Sequence, residues 1–201
     1  EVQAYLPGVS FGATTPSYDL EKAIDQEYPV EGVTEESVRE VLPRFLGEQE
    51  QIAPLFSAKS VDGVRAYELA RKQYREAHKE KTDVMTDFDH TVAETLNKQI
   101  INISGMELIS FFPNGKESGP ELSDEGLRPN PRINVVDTSA LHLPLAMIRI
   151  KCSKGTYIRA LARDLGEALG SGAHLNSLER TKSGGFTVGN CLSVNEVISV
   201  L

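Results

Sequence analysis

A tyrosine and an arginine lie two residues apart where a predicted strand gives way to a predicted helix. This junction reads Cys152-Ser153-Lys154-Gly155-Thr156-Tyr157-Ile158-Arg159. Thr156 can cap the helix, which would place Arg159 in the first turn, where the helix dipole favours anions over cations. We therefore expect Arg159 to bind either a carboxylate from elsewhere in the fold or a phosphate of a ligand. The alternative is a surface cation whose stem packs on the helix.

Tyr157 has two interpretations as well. Half-buried tyrosines usually fill a core and satisfy their hydroxyl group, but a ring beside a cation at the end of a strand could stack on the ring of a ligand. The junction alone does not decide between them.

The sequence changes its period across this junction. Residues 146–152 alternate between apolar and polar or charged side chains, which predicts a half-buried strand. Residues 158–169 carry apolar side chains at helical spacing, and Gly170 and Gly172 predict where that helix ends.

Other segments of the chain are also expected to be regular. They are a strand over 2–13 interrupted at Pro7-Gly8, a helix capped by Thr34 and ending at Gly47, strands over 99–112 and 179–188, an edge strand over 133–136, and a last helix capped by Ser193. Residues 73–98 and 113–145 are predicted to be insertion or long loop regions, since the first is charged and irregular and much of the second is rich in Gly, Pro and Ser.

Length and composition indicate one ordinary globular domain. The chain has 201 residues, 40% of them hydrophobic and 25% charged. It has no apolar run of membrane-spanning length and no signal peptide, so we expect a cytoplasmic protein without a membrane partner. Its two cysteines have no metal-ligand spacing, which predicts a reducing compartment and no metal.

The charge of the chain is unevenly distributed. The formal net charge of −8 argues against a generic nucleic-acid binder. Residues 149–182, however, contain seven Lys or Arg against three Asp or Glu and carry a net charge of +4, whereas residues 1–148 carry −11. A local basic patch on an acidic body can hold phosphates if shape recognition assists it.

Three blocks of residues carry a family resemblance. The junction, followed by Asp164-Leu165-Gly166, Gly172-Ala173-His174-Leu175 and Leu178-x-Arg180, closely resembles the bacterial TruB family of tRNA pseudouridine synthases. Residues 45–71 resemble a second family segment, and Tyr5 with Gly12, Thr15 and Asp19 resembles a third. Together the blocks cover most of the chain outside residues 73–145.

The resemblance implies a fold and an activity. It implies an α+β domain over residues 1–201, in which a mixed, largely antiparallel sheet flanked by helices forms part of the pseudouridine synthase fold. Family members flip a T-loop uridine of tRNA, at position 55, out of its stack and rejoin the base to ribose through carbon. The implied partner is the tRNA T-arm, with no cofactor, no metal and a monomeric enzyme.

The resemblance also suggests roles for single residues. Tyr5 would stack on the uracil, Tyr157 would assist proton transfer, and Arg159 would pair with the catalytic aspartate. Leu178 would form part of the apolar wall, and Lys154 would help to bind the substrate. Further candidates for RNA contact are Lys59, Arg65, Arg163 and Lys182, for which a solvated surface charge is the plainer alternative.

One departure from the family pattern bears on catalysis. The family's catalytic aspartate lies in a motif upstream of the Tyr5 strand, and these residues contain no such motif. Asp19, Asp62 and Asp164 match other family positions. We therefore expect an N-terminally truncated chain that lacks the nucleophile and is inactive as it stands. The alternatives are a non-catalytic RNA-binding or RNA-folding protein, and an acidic protein-interaction domain with a vestigial pocket.

Overall fold

The computed structural model of the chain describes residues 2–54, 60–61, 64–65, 98–115 and 135–191. Ten strands lie in these segments: β1 Val2–Phe11, β2 Ala13–Thr14, β3 Gln26–Glu27, β4 Gly47–Gln51, β5 Ser60–Val61, β6 Val64–Arg65, β7 Gln99–Phe112, β8 Leu145–Ser153, β9 Ala173–Ser183 and β10 Phe186–Thr187. The α-helices are α1 Glu35–Val41 and α2 Ile158–Ala168, and 3-10 helices cover Leu42–Phe45, Ser139–Leu141 and Val188–Asn190.

Six of the strands form one sheet, in the order β10-β9-β1-β8-β7-β4. Every strand pair in it is antiparallel. β2 with β3 and β5 with β6 form two small ribbons. This arrangement confirms the predicted α+β fold with a largely antiparallel sheet.

The predicted alternation of β8 is confirmed. Ala146, Ile148, Ile150 and Cys152 are at most 1% exposed, whereas the intervening residues are partly or fully exposed. The inward-facing row belongs to the same buried hydrophobic cluster as the apolar side of α2, so one face of the sheet and one side of that helix share the core.

Helix α2 also follows its predicted period and end. Its buried face comprises Ile158, Ala160, Leu161, Ala162, Leu165 and Gly166. Gly170 adopts a left-handed conformation with φ of 65°, and its backbone N–H donates to the Glu167 carbonyl at 3.0 Å. A glycine in this position lets the chain turn back into β9 without a steric penalty.

The capped helix after Thr34 is confirmed in a shortened form. Thr34 and Ser37 exchange side-chain and backbone hydrogen bonds in a capping box. The α-helix ends at Val41 and continues as a 3-10 turn that contains Pro43, because proline cannot donate the next helical hydrogen bond.

Two strand predictions were wrong in their extent. The segment 179–188 is not one strand: its first part belongs to β9, which starts at Ala173, and a turn at residues 184–185 separates it from β10. Residues 2–13 form a strand that runs through Pro7-Gly8 and ends at Phe11. A register shift against β9 at Gly8/Val9 accommodates the irregularity.

The edge strand predicted at 133–136 is absent from its described residues. Val135 and Val136 lie in irregular backbone, and the Val136 N–H donates to the Leu20 carbonyl at 2.9 Å. Strand β4 was not predicted. The Ser193 helix and residues 73–97 lie outside the described residues, so those expectations stay predictions.

No helix in the described part of the chain is long and apolar enough to cross a membrane.

Gly166 provides a test of how α2 packs on β9. A Cβ at this position would lie 2.3 Å from the backbone N of Ala173 and 2.4 Å from the carbonyl carbon of Gly172. Although alanine favours helices over glycine by about 1 kcal/mol, we expect Gly166→Ala to lower the free energy of unfolding by about 2 kcal/mol, because backbone must move. Urea unfolding measures this change.

Gly189→Ala is the matched control, since nothing lies within 4 Å of a Cβ there. Its expected effect is within about 0.5 kcal/mol of zero. A Gly166→Ala protein as stable as the wild type would show that α2 and β9 are not in such close contact.

Candidate active site

A tight turn after β8 brings Tyr157 and Arg159 to the start of α2. Gly155 takes φ of 90° in this turn. The predicted cap is wrong by one residue: Tyr157 is the N-cap and makes no side-chain capping hydrogen bond. The Thr156 hydroxyl donates instead to the Ser153 carbonyl at 2.9 Å. Arg159 still lies in the first helical turn.

Arg159 has the anionic partner that its position predicts. Its Nη1 donates to Asp19 Oδ2 and to the Ser17 carbonyl, both at 3.2 Å. The Arg159 and Asp19 side chains are 23% and 25% exposed. The guanidinium is thus fixed at the helix start by a carboxylate and a carbonyl from a distant loop.

Asp19 is itself held by its neighbours. Its Oδ1 accepts the Ser17 hydroxyl at 2.6 Å and the Glu21 N–H at 3.0 Å, while its carbonyl accepts the Thr15 hydroxyl at 2.7 Å. Both oxygens of the carboxylate therefore have donors. This favours a supporting role for Asp19 over that of a nucleophile.

Tyr18 adopts a strained backbone conformation in the same loop. Its φ of 59° is uncommon for a residue with a side chain. The surroundings hold it there: the Tyr18 carbonyl accepts the Leu175 N–H at 2.8 Å, and the Arg163 guanidinium lies 5.3 Å from the ring centroid. The Thr15–Asp19 loop is thereby fastened to both β9 and α2.

Arg163 was predicted to contact RNA, and its placement argues against this. Its side chain is only 14% exposed. Nε donates to Asp164 at 2.8 Å, Nη2 donates to the Ile52 carbonyl at 3.2 Å, and the guanidinium covers Tyr18. These internal partners assign Arg163 to the support of the loop.

Tyr5 lies deep in the central strand. It is 4% exposed, and its hydroxyl donates to Gln3 Oε1 at 2.5 Å. Burial raises the pKa of this hydroxyl, so the phenol is neutral at pH 7. Arg180, which pairs with Tyr5 across β1 and β9, places its guanidinium 5.2 Å from the ring centroid.

Leu178 occupies the same face of the sheet as Tyr5. It pairs with Pro7, two residues along β1, so alternation directs Leu178, Arg180 and Tyr5 to one side. Leu178 is 48% exposed. An exposed apolar side chain, a buried aromatic ring and an exposed cation thus lie side by side on that face. Arg180 had no role in the sequence prediction, although its place two residues after Leu178 gave the signal.

The remaining basic candidates are dispersed. Lys154 is exposed in the turn before α2, and Lys182 is exposed on β9 opposite Ala4. Lys59 and the side chain of Arg65 lie outside the described residues. Of these basic candidates, Lys154 is the one closest along the chain to Tyr157 and Arg159.

Sequence reasoning missed a buried glutamine beside the junction. Gln51 is 2% exposed and exchanges two hydrogen bonds with the backbone of Tyr157. No local pattern reveals such a contact, because the partners are 106 residues apart.

His174 is fully buried where β9 meets the Thr15–Asp19 loop. Its Nδ1 donates to the Ala13 carbonyl at 2.9 Å, because a carbonyl can only accept, and Nε2 has no hydrogen-bond partner among the residues that the structure describes. Burial lowers the pKa of the imidazole, although Asp19 and Asp25 partly favour its charged form. The ring is thus neutral in the folded protein at pH 7.

Within the described residues, no three His, Cys, Asp or Glu side chains come close enough to hold a metal ion.

Comparison with known families identifies the chain. The model of the TruB family pseudouridylate synthase N-terminal domain matches residues 1–109, and that of the tRNA pseudouridylate synthase B C-terminal domain matches residues 159–201. The chain belongs to the TruB family of pseudouridylate synthases. The Tyr5 strand falls within the first match, and the second match begins at Arg159, in the first turn of α2.

Similar members of the TruB family are named tRNA pseudouridine synthase B. The protein from Parabacteroides distasonis is 41% identical over 98% of this chain and 63% of its own length. That from Phocaeicola vulgatus is 42% identical over 94% of this chain and 60% of its own length. The chain therefore spans about three fifths of the length of these relatives.

The TruB family fold is also found among solved structures. A chain in the crystal structure of a Cbf5-Nop10-Gar1 complex matches 98% of this chain and 35% of its own length, with a TM-score of 0.52 and 16% identity. This likeness supports the fold alone.

The neutral state of His174 predicts a pH dependence of stability. Below the unfolded-state pKa of about 6.5, His174 binds a proton in the unfolded chain, whereas its lowered pKa disfavours this in the folded protein. The free energy of unfolding should therefore fall as the pH decreases below that value, with a slope of up to about 1.4 kcal/mol per pH unit. Urea unfolding at several pH values measures it.

His174→Asn keeps a donor for the Ala13 carbonyl and removes the titration. The difference in free energy of unfolding between wild type and variant should therefore change with pH in this range. An equal slope in both proteins would show that His174 is not buried in its neutral form.

Proposed function

We propose that the protein converts a T-loop uridine of tRNA, at position 55, to pseudouridine. The observation that carries this proposal is the Arg159 guanidinium, which Asp19 and Ser17 hold beside Tyr157 at the start of α2. The relatives' printed names support tRNA as the substrate. The enzyme would act on the T-arm as a cytoplasmic monomer without a cofactor or metal.

The part of the sheet face that carries Tyr5, Leu178 and Arg180 would supply a surface for a flipped base. Among the described residues, the exposed Arg180 lies over the Tyr5 ring, which is 4% exposed, so a uracil that stacks on this side of the ring must displace the guanidinium. We propose that the base replaces this guanidinium on the ring and that Leu178 forms the adjoining apolar wall. Flipping a base into such a pocket is the general solution for chemistry on a stacked base.

The nucleophilic carboxylate comes, in this proposal, from a part of the protein outside these 201 residues. Asp19 is engaged by Arg159, Ser17 and Glu21, and Asp164 is engaged by Arg163. A guanidinium has five donors in a fixed plane, so an anchored arginine can hold two carboxylates. Arg159 would orient the nucleophile, and Tyr157 would assist proton transfer.

A non-catalytic RNA-binding or RNA-folding protein is the second candidate. It differs from the enzyme in having no need of the family's aspartate motif, which these residues do not contain. The complete coding sequence distinguishes the two functions, because the enzyme requires that motif upstream of the Tyr5 strand. A start codon immediately before the codon for Glu1 would contradict the enzymatic proposal.

Arg159→Ala should abolish turnover and leave the fold intact. Forming pseudouridine joins C5 of uracil to ribose and releases the C5 hydrogen, so tritium release from T-arm RNA labelled at C5 reports the reaction. In protein expressed from the complete gene, we expect kcat to fall at least about 100-fold, because the carboxylate loses its orienting cation.

Arg39→Ala is the control, since Arg39 makes an exposed ion pair with Glu35 on α1. It should retain full turnover. Unchanged turnover in a folded Arg159→Ala protein would contradict the assignment.

Binding of T-arm RNA should weaken steeply with salt if Lys154 and Lys182 contact phosphates. Replacing either lysine by glutamine should reduce the slope of log Kd against log salt concentration by about one. Arg39→Gln should leave the slope unchanged. Fluorescence anisotropy measures these slopes, and equal slopes in all proteins would exclude the two lysines from the contact surface.

A further inference from the structure

We infer that Gln51 is a positioning residue for the active site, which acts by fixing the backbone of Tyr157. This inference rests on the proposed function, in which Tyr157 and Arg159 act on the uridine. Gln51 ends β4 at the edge of the sheet, far from both residues in sequence.

The side-chain amide of Gln51 matches the backbone of Tyr157 on both sides. The Tyr157 N–H donates to Gln51 Oε1 at 2.9 Å, and Gln51 Nε2 donates to the Tyr157 carbonyl at 3.1 Å. Tyr157 is the N-cap of α2 and makes no capping bond with its own side chain. Gln51 therefore provides polar contacts that fix the residue from which the helix starts.

A second glutamine supports the first. Gln99 pairs with Gln51 across β4 and β7. Its Nε2 donates to the Gly155 carbonyl at 2.7 Å and lies 3.4 Å from Gln51 Oε1. Two neighbouring strands thus hold the turn between Gly155 and Tyr157.

The hydrogen bonds from Gln51 and Gln99 to this turn determine where the reactive groups lie. Tyr157 makes two of these hydrogen bonds through its backbone, and Arg159 follows two residues later in the first turn of α2. A shift of the N-cap would move the Tyr157 ring and separate Arg159 from Asp19. Site groups must be held to within about 0.5 Å by the residues behind them. Because Gln51 is buried, it acts through Tyr157 rather than on the RNA.

Gln51→Leu tests this inference in protein expressed from the complete gene. The change removes both hydrogen bonds and keeps a similar side-chain volume. We expect kcat for tritium release to fall by about 100-fold, since a displacement near 1 Å can have that effect. The KM for T-arm RNA should stay within about twofold, because Gln51 does not contact RNA. The Tyr157 amide should exchange its hydrogen faster.

Gln49→Leu is the matched control. Gln49 lies two residues earlier on β4, and its Nε2 donates to the Phe45 carbonyl at 2.6 Å. The variant therefore also loses one part-buried hydrogen bond, but it should retain wild-type kcat and slow exchange at Tyr157.

Gln51→Glu supplies a second variant that stays polar. An ionised carboxylate accepts the Tyr157 N–H but repels its carbonyl, whereas the protonated acid can make both contacts. Its kcat relative to wild type should therefore recover as the pH is lowered. A purely structural contribution to folding would not give this profile in the folded enzyme. If Gln51→Leu does not fold, this comparison replaces it.

The outcomes separate this inference from the proposed function. A wild-type protein that converts no uridine overturns both. An active wild type with Gln51→Leu and Gln51→Glu proteins that keep wild-type kcat at every pH overturns the role of Gln51 alone. Loss of kcat confined to the Gln51 variants, with faster exchange at Tyr157, supports it.

Discussion

The ion pair between Arg159 and Asp19 is the interaction on which the arrangement of the site depends. A cation in the first turn of α2 opposes the helix dipole, and a carboxylate from a loop 140 residues earlier offsets this. Both side chains remain about a quarter exposed, so the pair contributes little to global stability. Its main effect is geometric, since it fixes where the guanidinium lies.

The loop that presents Asp19 is held by two elements, β9 and α2. β9 binds the Tyr18 carbonyl through Leu175, and α2 covers the Tyr18 ring with Arg163. His174 binds the Ala13 carbonyl just before the loop. These contacts keep Tyr18 in its strained conformation. They also supply hydrogen-bond partners for polar residues that are buried here, such as His174.

Local burial made part of this structure predictable. β8 and α2 each pack one face on the core, so their periods appear directly in the sequence. The start of β9 was missed because Asn176 and Ser177 interrupt its apolar pattern and register shifts disturb its alternation. The need of Arg159 for an anion followed from its position, but the identity of that anion required the fold.

Long-range polar contacts account for the rest of what sequence could not show. In the sequence, Gln51 is one of several polar residues of β4. Its hydrogen bonds to the Tyr157 backbone become visible only once the fold brings β4 next to the N-terminus of α2. Arg163 resembles a surface cation in sequence, yet its guanidinium is buried among internal partners. Charge type alone therefore does not distinguish a surface cation from one with internal partners.

The most direct test of the central claim is a crystal structure of the protein, expressed from its complete gene, bound to T-arm stem-loop RNA. We expect a flipped uracil stacked on Tyr5 beside Leu178, with Arg159 bound to both Asp19 and a second carboxylate next to the base. A T-loop uridine that remains stacked in the RNA, or binds away from Tyr5 and Arg159, would contradict it.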